Sequence, residues 1–268
     1  MSALESGDET VLVFGLGRTG TAVATALAAR GHRVVAADDR VDASWSGPGG
    51  EGAGEGAGEE LSGIPVHPAP SAAELAELVR SVDAVAPGPG VPAHHDVYRI
   101  ADGLGRPVVG DFDLAACWDD RPVAAVTGTN AKTTVTTLAA AMLARSGTRA
   151  VVAGNTDVPL VEAVDRCPDA EMFVVEASSF RLARAQRFAP QAAAWLNLAP
   201  DHLDWHGDMA AYEAAKARIW RHCGERPDDV AVLPAGDERI AAHLPAAARR
   251  VTFAPPPGSA GGAAAVGA

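Results

Sequence analysis

Twice along this chain, a short apolar run rich in β-branched residues ends in a loop of small residues and then opens into a helix-forming segment. The first unit is the run 10–14, the turn Gly15-Leu16-Gly17-Arg18-Thr19-Gly20 and a helix over about 21–30. The second is the run 123–126, the loop Thr127-Gly128-Thr129-Asn130-Ala131 and an Ala-rich helix over 133–146. A strand that feeds a helix and is followed by another strand builds a parallel sheet with right-handed crossovers. Further strands are predicted at 33–37, 83–86, 107–109, 149–153, 171–175, 192–198 and 229–233, and further helices at 72–80 and 210–222. Ser71 with Glu74 reads as a capping box for the helix at 72–80. The predicted class is α/β: an N-terminal Rossmann-like parallel-sheet domain over 1–118, then a P-loop-type α/β ATPase domain over 119–254. The Gly/Glu-rich stretch 46–60 reads as a flexible surface insertion. The Pro/Gly/Ala-rich stretch 255–268 reads as a disordered tail or the start of a linker.

Composition narrows the functions open to such a chain. With 268 residues and 48% hydrophobic content it can bury two cores, but aromatics are only 5%, so Val, Leu, Ile and Ala must fill them. A formal net charge of −12 argues against sequence-independent binding to a nucleic-acid backbone, which needs basic surface. It leaves room for a local phosphate site. No apolar run approaches the roughly 20 residues of a membrane span, and the start MSALESGDET lacks the features of a secretory leader. Three scattered cysteines, Cys117, Cys167 and Cys223, form neither a disulfide framework nor a metal knuckle, so a cytoplasmic setting is expected.

Three loops carry candidate chemistry. Gly15 to Gly20 match G-x-G-x-x-G between a strand and a helix, a turn that lets backbone approach a phosphate at a helix N-terminus. Asp38 and Asp39 close the next strand, where a ribose-binding carboxylate would sit. The same turn could equally serve helix–strand packing. In the second loop, Lys132 and Thr133 keep the lysine and hydroxyl of a phosphate loop, while Val126 and Ala131 stand at its two glycine positions. The alternative is an ordinary helix N-terminus capped by threonines. The third group, Glu176 with Asp201-His202-Leu203-Asp204-Trp205-His206, follows strands whose carboxyl ends are where an open parallel sheet binds ligands. Glu176, Thr133 and His202 could converge on metal-bound phosphate. Alone, His202 and His206 read as loop histidines, as do His94 and His95.

Taken in order, GLGRTG (15–20), PGPGVP (87–92), GTNAKTTVTTL (128–138), GNTDVP (154–159), EASSFRL (176–182), NLAPDHLDWHG (197–207) and AKARIW (215–220) resemble the Mur ligase family, and within it the ligases that join D-glutamate to UDP-MurNAc-L-alanine. The resemblance runs from about residue 10 to about residue 250. It implies an ATP-dependent amide ligase with Mg²⁺, working through an acyl phosphate. The first block then holds a UDP-sugar rather than NAD, with Gly15, Gly17, Arg18, Thr19, Asp38, Asp39, Arg40, Pro89 and Gly90 near the nucleotide. The resemblance also implies ATP at Gly128, Thr129, Asn130, Ala131, Lys132, Thr133 and Thr134. It gives Mg²⁺ to Thr133, Glu176 and His202, and substrate to Asn155 and Ser178. Lys132, His202 and Lys216 take catalytic roles, Lys216 as a carbamylated lysine near the metal. From the residues alone, Lys216 is a solvated lysine on an amphipathic helix.

The chain also departs from the family pattern. Ala131 stands where the family has Gly, Arg181 where it has Gln, and Trp205 where it usually has Arg. Pro234-Ala235-Gly236-Asp237 replaces the Asn-Ala-Asp-Asp that helps to seat adenine. The family's third, amino-acid-binding domain is not represented, so residues 1–268 are expected to be a partial chain, inactive for ligation. A non-catalytic paralogue that binds UDP-sugar or ATP is the second reading. An NAD-dependent oxidoreductase is the third, and it leaves the second block unexplained.

Overall fold

The computed structural model describes residue 4 and residues 7–41 and 61–254; the stretches read as an insertion (46–60) and a tail (255–268) lie outside the described residues. The elements run β1 (Thr10–Phe14), α1 (Arg18–Ala29), β2 (Arg33–Asp38), β3 (Val66–Pro68), α2 (Ala72–Ser81), β4 (Ala84–Pro87), α3 (Asp96–Gly103) and α4 (Asp111–Trp118). After them come β5 (Val123–Thr127), α5 (Lys132–Arg145), β6 (Ala150–Gly154), α6 (Leu160–Arg166), β7 (Met172–Glu176), α7 (Ser179–Leu182) and β8 (Ala192–Trp195). The last elements are α8 (Leu203–His206), α9 (Met209–Ala217), a 3-10 turn (Arg218–Trp220), β9 (Val230–Pro234), α10 (Glu238–Ala241) and β10 (Arg249–Phe253).

Among the described residues two sheets form, with orders β3-β2-β1-β4 and β10-β9-β8-β5-β7-β6, and every strand pair is parallel. The α/β class is therefore as expected. Helices cover both faces of such sheets, so central strands are near-continuous apolar runs. Val11, Leu12, Val13 and Phe14 of β1 and Phe173, Val174 and Val175 of β7 are all buried. Ser71 caps α2 in the reciprocal arrangement with Glu74.

Several boundaries differ from the sequence expectation. Residues 107–109 make a single bridge, Val85 to Val108, and no strand, because the next residue already caps α4. The strand expected over 192–198 stops at Trp195, because Asn197 turns aside to bind the loop after β5. The helix expected over 210–222 tightens into a 3-10 turn after Ala217.

Helix α4 is the seam between the sheets. Phe112 stacks on Phe188 at 4.5 Å between centroids. The buried Asp113 carboxylate accepts the backbone N–H groups of Gln186, Arg187 and Phe188 at 2.8–3.1 Å. Beside it, Arg30, the C-cap of α1, lies 3.9 Å from the Trp118 ring centroid and is bidentate with Asp165 of α6. One core cluster accordingly includes residues of both sheets. Among the described residues no helix is long and apolar enough to cross a membrane.

Beneath β8, Trp220 is fully buried against Trp195 and donates its indole N–H to the Ala193 carbonyl at 2.8 Å. This contact fixes the end of α9. Trp220→Ala is expected to cost about 3–5 kcal/mol of folding stability, read as a lowered denaturation midpoint. A loss below 1 kcal/mol would mean that α9 is held by something else.

Candidate functional site

The turn between β1 and α1 is built for close backbone approach. Gly15 has φ +90°, and a Cβ on Gly20 would lie 1.9 Å from the Gly15 carbonyl oxygen, so a side chain there would break the turn. Gly88, after β4, donates its N–H to the Phe14 carbonyl at 2.8 Å and brings the second loop alongside. Together Gly15, Gly17, Arg18, Thr19, Pro89 and Gly90 line a cavity of about 220 Å³, with Arg40 at its edge. The first N–H groups of α1 open beside it, and a helix N-terminus favours an anion.

Asp38 and Asp39 part company here. Asp38 is buried and accepts from the Leu16 N–H (2.6 Å) and the Arg40 N–H (2.8 Å), so it shapes the turn from within. The half-exposed Asp39 pairs with His95 Nε2 at 2.8 Å. His95 Nδ1 accepts from the Val97 N–H, which caps α3 and makes Nε2 the protonated nitrogen.

Beyond the second sheet, Ala131 sits at the N-cap of α5 with φ +67° and ψ +6°, the left-handed conformation expected of the glycine it replaces. Lys132 curls back, its Nζ donating to the carbonyls of Gly128 and Thr129 at 3.0 Å each. The Asn197 carboxamide oxygen accepts the N–H groups of Thr129 and Asn130, both at 2.9 Å, and its Nδ2 donates to the Asn130 carbonyl. At the ends of the neighbouring strands, Thr133 donates to Glu176 Oε2 at 2.6 Å and Asn155 Nδ2 to Glu176 Oε1 at 3.0 Å. Thr134 is exposed beside them.

These groups fit a magnesium nucleotide. Mg²⁺ takes hard oxygen ligands, commonly one or two carboxylates plus phosphate and water. Here a hydroxyl and a carboxylate already touch. Among the described residues no three His, Cys, Asp or Glu side chains gather at metal-binding distance. His202 is not drawn to Glu176. It rests on Phe180, 4.7 Å between ring centroids, with Nε2 3.4 Å from Asp201. Ser178 caps α7.

Lys216 is 1% exposed and donates to the same Gly128 carbonyl, at 2.7 Å. Burial pushes its ammonium down from the ordinary 10.5 to about 7, and the neighbouring Lys132 charge adds to the shift while Asp201 opposes it. His206, hydrogen-bonded to Ser179, is likewise lowered to about 4, chiefly by burial. A solvated helix-face lysine is not what the structure holds. The sequence also gave no role to Asn197, Tyr212 or Asp111. Asn197 lay inside a motif, and its position just past β8 was the available signal.

The Mur ligase middle domain model matches residues 126–257. A UDP-N-acetylmuramoylalanine--D-glutamate ligase of Frankia casuarinae is 44% identical over 245 residues, 91% of this chain and 49% of that protein. The protein of the same name from Pelotomaculum thermopropionicum is 41% identical, covering 91% of this chain and 51% of its own length. The chain thus spans about half the length of the curated relatives it matches. Among solved structures, the UDP-N-acetylmuramate:L-alanyl-gamma-D-glutamyl-meso-diaminopimelate ligase of Neisseria meningitides aligns with TM-score 0.57 at 19% identity, over 92% of this chain and 78% of that one. A murein peptide ligase of Psychrobacter arcticus aligns at 0.52 and 20%, over 91% and 53%. At these identities the structural likeness establishes the fold.

Two outcomes are expected from this geometry. Left-handed backbone costs an L-residue about 1–2 kcal/mol, and glycine's freedom in the unfolded chain offsets about 0.4–1 kcal/mol of any relief. Ala131→Gly should therefore raise stability by up to about 1 kcal/mol, a few degrees at most in Tm; a fall in Tm would show that Ala131 is unstrained. The second concerns Lys216, whose folded pKa lies below its unfolded value. Between pH 7 and 10.5 the unfolded chain binds more protons at this site, so stability should rise with pH across that window. In carbonate-free buffer, wild type should gain on Lys216→Met by up to about 1.4 kcal/mol per pH unit, the value for one proton. Parallel pH profiles for the two would refute it.

Proposed function

Because the chain belongs to the Mur ligase family, we propose that it holds a UDP-sugar in the Gly15–Gly20 cradle and MgATP at the loop after β5. These sites would serve the ATP-dependent joining of D-glutamate to UDP-MurNAc-L-alanine. We assign the first site to a domain over residues 1–118 and the second to a domain over 119–254. ATP with Mg²⁺ would supply a transferable phosphoryl group that turns a poor electrophile, the substrate carboxylate, into one an amine can attack. The chain's own residues then bind, orient and balance charge.

Lys132 is positioned to leave its own loop carbonyls and neutralise phosphate charge. Thr133 and Glu176 supply oxygen ligands for Mg²⁺, and Asn155 fixes the Glu176 carboxylate from behind. His202 takes the role that the family resemblance gives it, an imidazole for a second metal, from the loop after β8. Lys216, with an ammonium held near neutrality, has a fraction of free amine whose nitrogen can add to carbon dioxide, releasing one proton and leaving a carbamate. That anion would balance Lys132 and offer oxygen to a metal. ATP dependence and the free cysteines fit a cytoplasmic setting.

One observation carries this reading: Lys132 and the buried Lys216 converge on a single carbonyl beside the Thr133–Glu176 pair. Two lysines aimed at one oxygen are a poor way to stabilise a fold and a good way to receive an anion. The test is calorimetric titration of this chain with MgATP and with UDP-MurNAc-L-alanine, repeated on Lys132→Ala. Loss of ATP binding by at least tenfold, with UDP-substrate binding retained, is the expected result. Equal loss of both in a folded variant, or tighter binding of NAD than of UDP, would overturn the assignment.

A further inference from the structure

Two of the residues that depart from the family pattern reach back from the second sheet to the first cradle. Trp205 donates its indole N–H to the carbonyl of Val91 at 3.2 Å, and Val91 lines the cavity. Arg181, on α7, goes deeper. Its side chain is 4% exposed and forms a buried ion pair with Asp111 through Nη1. Its Nη2 donates to Thr19 Oγ1 at 2.8 Å. The Nε N–H has no partner.

A threonine hydroxyl has one proton and two lone pairs. Arginine cannot accept a hydrogen bond, so the contact with Arg181 fixes Thr19 Oγ1 as acceptor on that side. Its proton must point elsewhere, and among the described residues it meets no acceptor. Thr19 lines the cradle in the first turn of α1, where the helix N-terminus already favours an anion. With glutamine at 181, the side-chain carbonyl could take the hydroxyl proton and turn the donor away.

We propose that Arg181 is a positioning residue for the anion bound in the Gly15–Gly20 cradle: by donating to Thr19 Oγ1 it commits the Thr19 hydroxyl to donate to a phosphate oxygen of a nucleoside diphosphate. The assignment of the cradle to a UDP-sugar underlies this inference, and the new content is the residue and the way it acts. Arg181 touches no ligand. Asp111 holds the guanidinium in place, and the same side chain ties the cradle to α7 of the second sheet.

The probes are UDP and, as a phosphate-free control, uridine, titrated calorimetrically into the 268-residue chain. Arg181→Gln should weaken UDP about tenfold or more, the scale of one hydrogen bond to a charged group, and leave uridine unchanged. Thr19→Val should do the same. Because Arg181 acts through Thr19, the double variant should bind UDP no more weakly than Thr19→Val alone. Removing one partner of a buried pair can unfold a protein, so Tm is measured in parallel. If Arg181→Gln unfolds, Arg181→Gln/Asp111→Asn, which also removes the stranded carboxylate, carries the same expectation. UDP affinity unchanged in a folded Arg181→Gln, equal losses for UDP and uridine, or additive losses in the double variant would overturn the role of Arg181 while leaving the UDP site intact. A wild-type chain that binds no UDP would overturn the site assignment itself, and this inference with it.

Discussion

The carbonyl of Gly128 is the point around which the second-sheet site is organised. Two lysines from different elements, Lys132 at the start of α5 and Lys216 near the end of α9, donate to it. One neutral oxygen cannot balance two ammonium charges when one of them, Lys216, is almost fully buried. Burial first, and the Lys132 charge second, lower the Lys216 ammonium to about 7, while Lys132 itself is only partly buried. Much of the surrounding structure keeps these two groups in register. Trp220 pins the end of α9 under β8, Tyr212 stacks beneath Lys216 at 4.5 Å and hydrogen-bonds Thr129, and Asn197 fastens the loop from the side.

The first cradle depends on the second sheet in a different way. Its floor is glycine packed on glycine, Gly20 against Gly15, which fixes shape but supplies no polar side chain. Direction comes from outside, through Asp38 beneath the turn and through Arg181 and Trp205 from the far sheet. Helix α4 makes that reach possible. Asp111 receives Arg181 and Asp113 receives three backbone N–H groups of 186–188, so one turn of helix holds both sheets.

The architecture was legible in the sequence because parallel α/β units announce themselves locally. An apolar run, a small-residue loop and a helix are each written in adjacent residues, and β1, β5, α1 and α5 fell where that pattern put them. What could not be read was non-local. β3 and β10 are short or fully exposed and have no apolar alternation to mark them. The strand expected to run past Trp195 was cut short by a side chain that binds a loop about seventy residues away in sequence. The site followed the same division. Lys132 and Thr133 were singled out from loop spacing and Glu176 from its place at a strand end, and the structure brings Thr133 and Glu176 into contact. The burial of Lys216 was invisible from residue type, because it is set by how α9 packs against α7 and α8 and reaches the Gly128 carbonyl.

The departures from the family pattern are also the places where the chain is cross-braced. Ala131 keeps the backbone conformation of the glycine it replaces, and the loop around it is held at both ends, by Asn197 on one side and Thr133–Glu176 on the other. A loop fastened in this way can carry a left-handed alanine because no single torsion is free to relax away from it. Arg181 brings a buried charge that would be ruinous alone, and Asp111 answers it directly. Trp205 finds the Val91 carbonyl. Arg181 and Trp205 thus each have a partner in a different element, and both partners lie in the first block. The indole N–H of Trp205 and, apart from Nε, the guanidinium of Arg181 are matched.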